Sequence, residues 1–110
     1  MEIFFNLDSN KSGSFFIIQD EEQLAELNFE IQNSIINAYH TGVRKKLEGQ
    51  GIAAKLFDKL VSYARENNYK ILPTCSYILA KFRRHPDLFA DVWQHSDDEP
   101  TGDACGIPHK

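Results

Sequence analysis

The chain has 110 residues, of which 42% are hydrophobic and 25% are charged. The hydrophobic residues are numerous enough to form one core, and the chain is too short to divide into two domains. Its longest apolar runs fall far short of the roughly 18 residues of a membrane-spanning helix, so no membrane partner is expected. The net charge of −4 argues against non-specific binding to nucleic acid.

The first five residues, Met1–Phe5, contain no basic segment and no site typical of signal-peptide cleavage. They are therefore interpreted as the start of a strand, and the expected location of the protein is the cytoplasm. Thiols stay reduced in that compartment. A disulfide between Cys75 and Cys105 is possible but not favoured.

Charge is unevenly distributed along the chain. Residues 1–33 contain seven acids and one base, a net −6, whereas residues 34–93 have a net charge of +5 and residues 94–110 a net charge of −3. A basic middle between acidic ends is typical of a protein with one anion-binding face. It also arises when solvated faces segregate by chance, and charge alone favours that second interpretation.

The first half of the chain is rich in β-branched and aromatic residues. Glu2 to Asp8 and Ser14 to Gln19 flank a polar turn, a pattern that predicts an antiparallel hairpin. Gln23 to Ile31 fits a helical spacing as well as an alternating one. The alternation is the longer match, so a strand is favoured there. Ser34 to Val43 predicts a further strand.

The pattern then changes to a helical period. Ile52 to Ala64 predicts an amphipathic helix that ends at Asn67 or Asn68, followed by a short strand from Lys70 to Thr74. A second helix is predicted from about Ser76 and ends at Pro86. Residues 87–93 are expected to add one or two helical turns, which makes residues 1–93 the domain. The polar residues 94–110 are expected to form a flexible tail.

Antiparallel strands followed by strand, helix, strand and helix predict an α+β (mixed α/β) domain. If the last strand lies beside Ser34 to Val43, the helix between them is a crossover connection and the two strands run parallel.

The segment from His40 to Ala53 contains the features most relevant to function. A strand ends, a basic run follows, and a glycine-rich turn leads into a helix N-terminus. Unpaired N–H groups and the helix dipole at such a terminus bind anions, usually phosphate. The alternative is that Gly49 and Gly51 only shape a turn. The segment is neither a P-loop nor the dinucleotide-binding fingerprint, because the residues that define each are missing.

Glu48-Gly49-Gln50-Gly51-Ile52-Ala53 resembles the pyrophosphate motif of the GCN5-related N-acetyltransferase (GNAT) family, Gln/Arg-x-x-Gly-x-Gly/Ala. Further motifs along residues 1–93 resemble the compact GNAT-like branch, the N-acetyltransferase domain proteins of YjdJ type. These are His40-Thr41-x-Val43, Leu47-Glu48-Gly49-x-Gly51-Ile52, Tyr63-Ala64-Arg65-Glu66-Asn67, Pro73-x-Cys75-x-Tyr77 and Arg83-Arg84-His85-Pro86.

The resemblance implies a minimal GNAT-like fold, in which antiparallel strands precede a β-α-β-α unit with a splayed strand pair. It implies acetyl-CoA as co-substrate, with the pantetheine arm lying between the splayed strands. Backbone groups of Thr41, Gly42 and Val43 would bind the pantetheine and the thioester carbonyl. The N–H groups of Glu48, Gly49, Gln50, Gly51, Ile52 and Ala53 would hold the pyrophosphate, and Arg44, Lys45 and Lys46 would add positive charge beside it.

Two residues are catalytic candidates, Cys75 and His40. Cys75 would face the thioester, either as a nucleophile that accepts the acetyl group or as a small buried residue lining the pocket. His40 is a candidate general base, or a hydrogen-bonded strand histidine with a structural role. The tyrosine that many GNAT enzymes use to protonate the leaving thiolate is missing. Lys81 or Phe82 occupies its register, with Tyr77 one turn earlier.

The implied reaction is attack of an amine on the acetyl thioester, with a small molecule or a protein as the acceptor. The acidic first third favours a cationic acceptor, with Glu21, Glu22 and Glu26 as the acids to test. A non-catalytic acyl-CoA-binding module and a purely structural interaction domain are the alternatives. No metal is expected, because the spacing of His95, Cys105 and His109 matches no standard ligand set. The oligomeric state is left open.

Overall fold

The computed structural model describes residues 2–95. Five strands form one sheet in the order β1-β2-β3-β4-β5. The elements are β1 Phe4–Leu7, β2 Ser12–Gln19, β3 Glu22–Gln32, β4 Ile35–Val43, a 3-10 turn Lys45–Leu47, α1 Ile52–Asn67, β5 Lys70–Pro73 and α2 Ser76–Arg84.

The first four strands pair antiparallel in sequence order, as the sequence predicts. The β1–β2 turn is fixed by Asp8, whose Oδ1 accepts hydrogen bonds from the N–H groups of Asn10 and Ser12 at 2.9 and 3.0 Å. The hydrophobic residues of segment 23–31 matched both a helical and a strand-like spacing, and this segment lies inside β3. The favoured strand interpretation is confirmed, because the alternating Ala25, Leu27 and Phe29 are all buried.

β5 pairs parallel with β4, from Ile35 opposite Lys70 to Ala38 opposite Pro73. The connection between them contains α1, which ends at Asn68 in the left-handed conformation (φ 59°). Asparagine adopts that conformation more readily than most residues. The predicted α+β class, the crossover helix and its C-terminal asparagines are confirmed.

The two faces of the sheet differ. One face packs against α1, and α2 lies beside α1, with the Phe57 and Phe82 rings 5.7 Å apart. The residues that alternate with this core point to the opposite face, called here the open face, and include Phe4, Phe16, Glu26, Asn28 and His40, none of them buried. The buried core includes Phe15, Leu27, Phe29, Ile36, Leu56, Phe57, Leu60, Ile78 and Phe82.

The chain after α2 returns to the outer edge of β5. Ile71 donates its N–H to the Val92 carbonyl at 2.6 Å and accepts from the Gln94 N–H at 2.8 Å. Residues 86–92 form consecutive turns and no regular helix. Residues 94 and 95 of the predicted tail lie against the domain, with the His95 ring stacked on Trp93 at 4.2 Å. Residues 96–110 of that tail lie outside the described residues.

No helix within residues 2–95 combines the length and the apolar character needed to cross a membrane.

Candidate functional site

A cleft opens where β4 extends beyond the end of β5. The last pair of the two strands is Ala38 opposite Pro73, whereas β4 continues to Val43. Cys75 donates its N–H to the Ala38 carbonyl at 2.8 Å, and α2 begins directly after it. Within the described part of the chain, residues 40–43 therefore pair with β3 alone. β5 thus ends where a splayed strand pair was predicted, and β4 continues beyond it.

A β-bulge lies at the mouth of the cleft. Asn28 pairs with His40 but Phe29 pairs with Ala38, so Tyr39 is an extra residue on β4. Farther along, the Arg44 N–H donates to the Leu24 carbonyl of β3 at 2.8 Å. Backbone groups alternate in direction along a strand, so the N–H groups of Thr41 and Val43 face the cleft. These are two of the three residues predicted to contact the pantetheine arm.

Cys75 and Thr41 meet on the helix side of the cleft. The Cys75 thiol donates to the Thr41 hydroxyl at 3.5 Å, and the cysteine is 9% exposed. Cys75 is the residue immediately before the first turn of α2, with no side-chain capping hydrogen bond there. The two residues predicted at the thioester end of the site are thus brought into direct contact.

His40 lies on the other face of the same strand. Its Nε2 is 2.9 Å from the Oε2 of Glu26, and the two side chains are 49% and 23% exposed. The two predicted catalytic candidates therefore flank the cleft edge from opposite faces. Glu26 was singled out from the sequence only as part of the acidic first third, because the strand register that brings it to His40 depends on the bulge at Tyr39.

The glycine-rich loop has the conformation that the anion-site hypothesis requires. Gly49 and Gly51 have φ values of 81° and 71°, and Gly51 caps α1 without a side-chain hydrogen bond. The first turn of α1 contains no acidic residue, so its N–H groups and the positive end of its dipole are available to an anion. The N–H of Glu48, which was also predicted to contact the anion, donates to the Lys45 carbonyl at 3.2 Å.

A cavity of about 240 Å³ lies against this loop. It connects the end of β4 to the start of α1, and Tyr77 of α2 forms its far wall. Burial, the largest cause, raises the pKa of Tyr77 above its ordinary value, so the hydroxyl stays protonated at neutral pH and can donate a hydrogen bond. The lining includes Val43, Leu47, Gly49, Gly51, Ala53 and Tyr77.

The positive charge of Arg44 and Lys46, beside the loop, is partly neutralised by Glu22 of β3. The Lys46 ammonium lies 3.0 Å from one carboxylate oxygen of Glu22, and the Arg44 guanidinium lies 3.8 Å from the other. Glu22 and Glu26, two of the acids suggested for a cationic acceptor, are therefore each paired with a basic side chain.

Neither residue in the register of the missing tyrosine reaches the cleft as a proton donor. Phe82 is fully buried, and the Lys81 ammonium lies over the Phe57 ring, 5.4 Å from its centre. Tyr77, one turn earlier, is the α2 side chain that lines the cavity with the loop.

Within residues 2–95, no group of three or more His, Cys, Asp or Glu side chains is arranged to hold a metal ion. Cys105 and His109 lie outside the described residues, and the predictions made for them stay predictions.

The geometry favours an elongated anionic ligand. An uncapped helix N-terminus, two left-handed glycines and neighbouring cations suit a diphosphate. Next to it, a strand edge with unpaired N–H groups suits an amide-containing arm and a carbonyl oxygen. Together these features suit a diphosphate that is joined to an amide-containing arm.

The comparisons with known proteins agree with this geometry. A family model of GCN5-related N-acetyltransferases matches residues 14–92. The solution structure of a GCN5-like candidate N-acetyltransferase from Staphylococcus aureus is 33% identical in sequence, with a TM-score of 0.65. The match covers 91% of this chain and 94% of that one. The resemblance to the GNAT family stated from the motifs is thereby confirmed. No curated protein matches the chain.

Two more distant structures share the fold. The ribosomal-protein-S18-alanine N-acetyltransferase of Escherichia coli is 11% identical with a TM-score of 0.56, over 70% of this chain and 53% of that one. The ribosomal-protein-alanine N-acetyltransferase of Brucella melitensis biovar Abortus is 17% identical with a TM-score of 0.53, over 84% and 70%. The chain thus spans about half of the E. coli enzyme. At these identities the likeness concerns the fold alone.

Proposed function

The chain belongs to the GCN5-related N-acetyltransferase family, and we propose that it binds acetyl-CoA and transfers the acetyl group to an amine. The observation that carries the proposal is the cavity that joins the glycine loop to the end of β4, since it is lined by Gly51 at the uncapped start of α1 and by Val43. Val43 belongs to the part of β4 that extends beyond its last pair with β5, and the same part of the strand contains His40 and the Thr41 that contacts Cys75. One acyl-CoA molecule would span these features.

The cofactor would be held mostly by backbone groups. N–H groups from Gly49 to Ala53 bind the pyrophosphate, and Arg44, Lys45 and Lys46 add positive charge beside it. The N–H groups of Thr41 and Val43 bind the pantetheine arm and the thioester carbonyl, whose oxygen gains negative charge during attack. Because backbone groups make these contacts, the side chain at the first position of the motif is not needed for them. Glu48 is therefore tolerated at this position, where the GNAT motif has Gln or Arg.

The acetyl transfer would be direct. The amine approaches from the open face, where His40 accepts its proton and leaves the nitrogen lone pair free for attack. Tyr77, protonated at neutral pH, is the candidate donor to the departing thiolate. Cys75 lines the opposite wall at 9% exposure, which suits a buried pocket residue better than a group that must exchange acetyl with an incoming amine.

A passive acyl-CoA-binding module is the second candidate. The observation that favours it is the register of α2, because Phe82 is buried and Lys81 lies over Phe57 where many family members present a tyrosine. Binding without turnover would distinguish this candidate from the first.

The experiment is a calorimetric titration of acetyl-CoA into the purified chain, followed by assay of thiol release with a panel of primary amines. Binding with amine-dependent thiol release supports the transferase. Binding without release for any amine supports the passive module. No binding at high micromolar ligand contradicts both and leaves the family fold without its activity.

A further inference from the structure

The contact between Glu26 and His40 is built by two neighbouring strands of the open face. Glu26 of β3 is paired opposite Gly42 of β4, and Asn28 is paired opposite His40. Glu26 therefore reaches His40 as a diagonal neighbour, a distance that long side chains span easily. The contact between Nε2 and Oε2 measures 2.9 Å, within the range of a charge-assisted hydrogen bond.

Both oxygens of the Glu26 carboxylate are engaged. While Oε2 faces the imidazole, Oε1 accepts a hydrogen bond from the Gln23 side-chain amide at 3.4 Å. The carboxylate is also the less exposed partner of the pair, at 23% against 49% for His40. Glu26 thus holds a defined position, and the imidazole is oriented against it.

Gly42 leaves the space in which the pair lies. A Cβ atom at this position would lie 2.6 Å from the Glu26 Oε2 and 3.1 Å from the His40 Nε2. Gly42 is not among the glycines with a positive φ, so an alanine would suit the backbone. The glycine is needed here for its lack of a side chain, because any larger residue would push the carboxylate away from the imidazole.

We propose that Glu26 is a positioning residue for His40, and that it makes Nδ1 the atom that accepts a proton from the acceptor amine. In a neutral imidazole one nitrogen carries hydrogen and the other has a free lone pair. A carboxylate accepts only, so the nitrogen that faces it, Nε2, carries the hydrogen. Nδ1 is left with the lone pair and turns away from Glu26. The inference rests on the proposed transferase function and deepens it.

The step balances without any further reactant. A proton leaves the ammonium form of the acceptor for Nδ1, which produces an imidazolium whose charge is stabilised by the Glu26 carboxylate. The freed amine forms a bond to the acyl carbon, the carbon–sulfur bond breaks, and the CoA sulfur leaves with the electron pair. The nitrogen, cationic after the attack, loses its second proton to solvent as the amide forms. Tyr77 gives its proton to the CoA thiolate and regains one from solvent. Deprotonation of the imidazolium by solvent restores the starting state.

The first test compares Glu26→Gln with Glu30→Gln, using acetyl-CoA and an amine substrate identified from the panel. Glu30 lies on the same strand and the same face, opposite Asn37, so its variant removes an equal charge away from the histidine. We expect Glu26→Gln to lower kcat about tenfold, less than the roughly hundredfold expected for His40→Ala as loss of a general base. The KM for acetyl-CoA should change little in either. Equal kcat values for Glu26→Gln and Glu30→Gln would overturn the inference.

The second test is chemical rescue. Free imidazole added to His40→Ala should restore part of the lost activity, because Glu26 can hold the small molecule in the vacated position. In the double variant His40→Ala/Glu26→Gln the rescue should disappear. Rescue that is equally strong in both variants would show that Glu26 does not position the base.

Gly42→Ala provides a third test that leaves both side chains chemically intact. Because the new methyl group displaces the carboxylate, kcat should fall to about the level of Glu26→Gln, and adding Glu26→Gln to Gly42→Ala should cause no further loss. If the two losses add, the two substitutions do not act through the same contact.

A wild-type chain that binds acetyl-CoA but acetylates no amine would refute the transferase proposal itself. Turnover with no effect of Glu26→Gln would refute only this inference.

Discussion

The Sγ atom of Cys75 lies 3.5 Å from the Oγ1 atom of Thr41, although the two residues are 34 positions apart in the chain. The contact exists because β5 ends at Pro73 while β4 continues, so the chain turns across the end of the cleft before α2 starts. The thiol is therefore placed at the point where the proposed thioester would lie, on the side of the cleft opposite His40.

Cys75→Ala separates the two roles suggested for this thiol. If transfer to the amine is direct, the variant should keep acetyl-CoA affinity and a rate within about threefold of wild type, a barrier change below about 1 kcal/mol. Intact mass of the wild-type chain after incubation with acetyl-CoA should show no stable acetyl adduct. An adduct that Cys75→Ala lacks, together with loss of turnover, would establish the cysteine as the acetyl carrier. Cys75→Ser is the matched control for volume.

Arg65 and Asp91 predict a small dependence of stability on pH. The guanidinium hydrogen bond from Arg65, 2.9 Å long, lowers the pKa of the Asp91 carboxyl below its ordinary value. The stabilisation is present above the unfolded pKa of about 3.9 and is lost as pH falls through the lower folded value. Because the side chains are 44% and 57% exposed, the free energy of unfolding should change by less than about 1 kcal/mol.

Urea denaturation of wild type and Asp91→Asn measures this effect. At pH 6 the variant should be the less stable, and the difference should shrink as the pH falls below the unfolded pKa of about 3.9 and the wild-type carboxylate takes up its proton. Asp87→Asn, a nearby carboxylate on the same turn segment, is the control. A difference that stays constant across this pH range would show that the Arg65 contact does not act through charge.

Helices and strands were predicted well where the spacing of hydrophobic residues agrees with the residues that end helices or form turns. The buried positions of α1 follow a helical period up to Ala64, and Asn68 ends the helix in the left-handed conformation that its side chain tolerates. The glycine loop was identifiable for the same reason, since it lies between a strand and a strongly amphipathic helix. Each of these features is determined by residues that are close together in the sequence.

The pairing of side chains across strands could not be predicted in the same way. Glu26 meets His40 only because Tyr39 bulges from β4, and a shift of one residue would turn every following side chain to the other face. The bulge has no sequence signature here. The Glu22 contact to Lys46 and the wall formed by Tyr77 likewise depend on how elements that are distant in sequence pack together.

Gly51→Ala tests the glycine loop through its backbone. A Cβ at this position would meet no atom within 4 Å, so crowding is not the issue. The φ of 71° costs a residue with a side chain about 1–2 kcal/mol. We expect a lower melting temperature and at least fivefold weaker acetyl-CoA binding by calorimetry, because the loop relaxes away from the pyrophosphate.

Gly51→Asn is the matched control, since asparagine tolerates the left-handed region. It should keep most of the affinity that alanine loses. If alanine and asparagine weaken binding equally, the left-handed conformation is not what the cofactor requires.

Glu22→Gln should strengthen acetyl-CoA binding. Glu22 lies 3.0 Å from Lys46 and 3.8 Å from Arg44, two cations that flank the pyrophosphate loop, so its charge opposes that of an incoming polyanion. All three side chains are more than 40% exposed, which limits the effect to about 1 kcal/mol, or roughly fivefold in affinity at low ionic strength. Calorimetric titration at low and high salt measures it, and screening should reduce the gain.

Glu21→Gln removes the neighbouring charge without touching the Lys46 contact, and it should produce a smaller gain than Glu22→Gln. If instead Glu22→Gln weakens binding, then Glu22 acts by holding Arg44 and Lys46 in a productive position. In that case the two cations, and not the backbone of the loop alone, would determine the affinity for the cofactor. A gain that persists unchanged at high salt would show that charge opposition is not its cause.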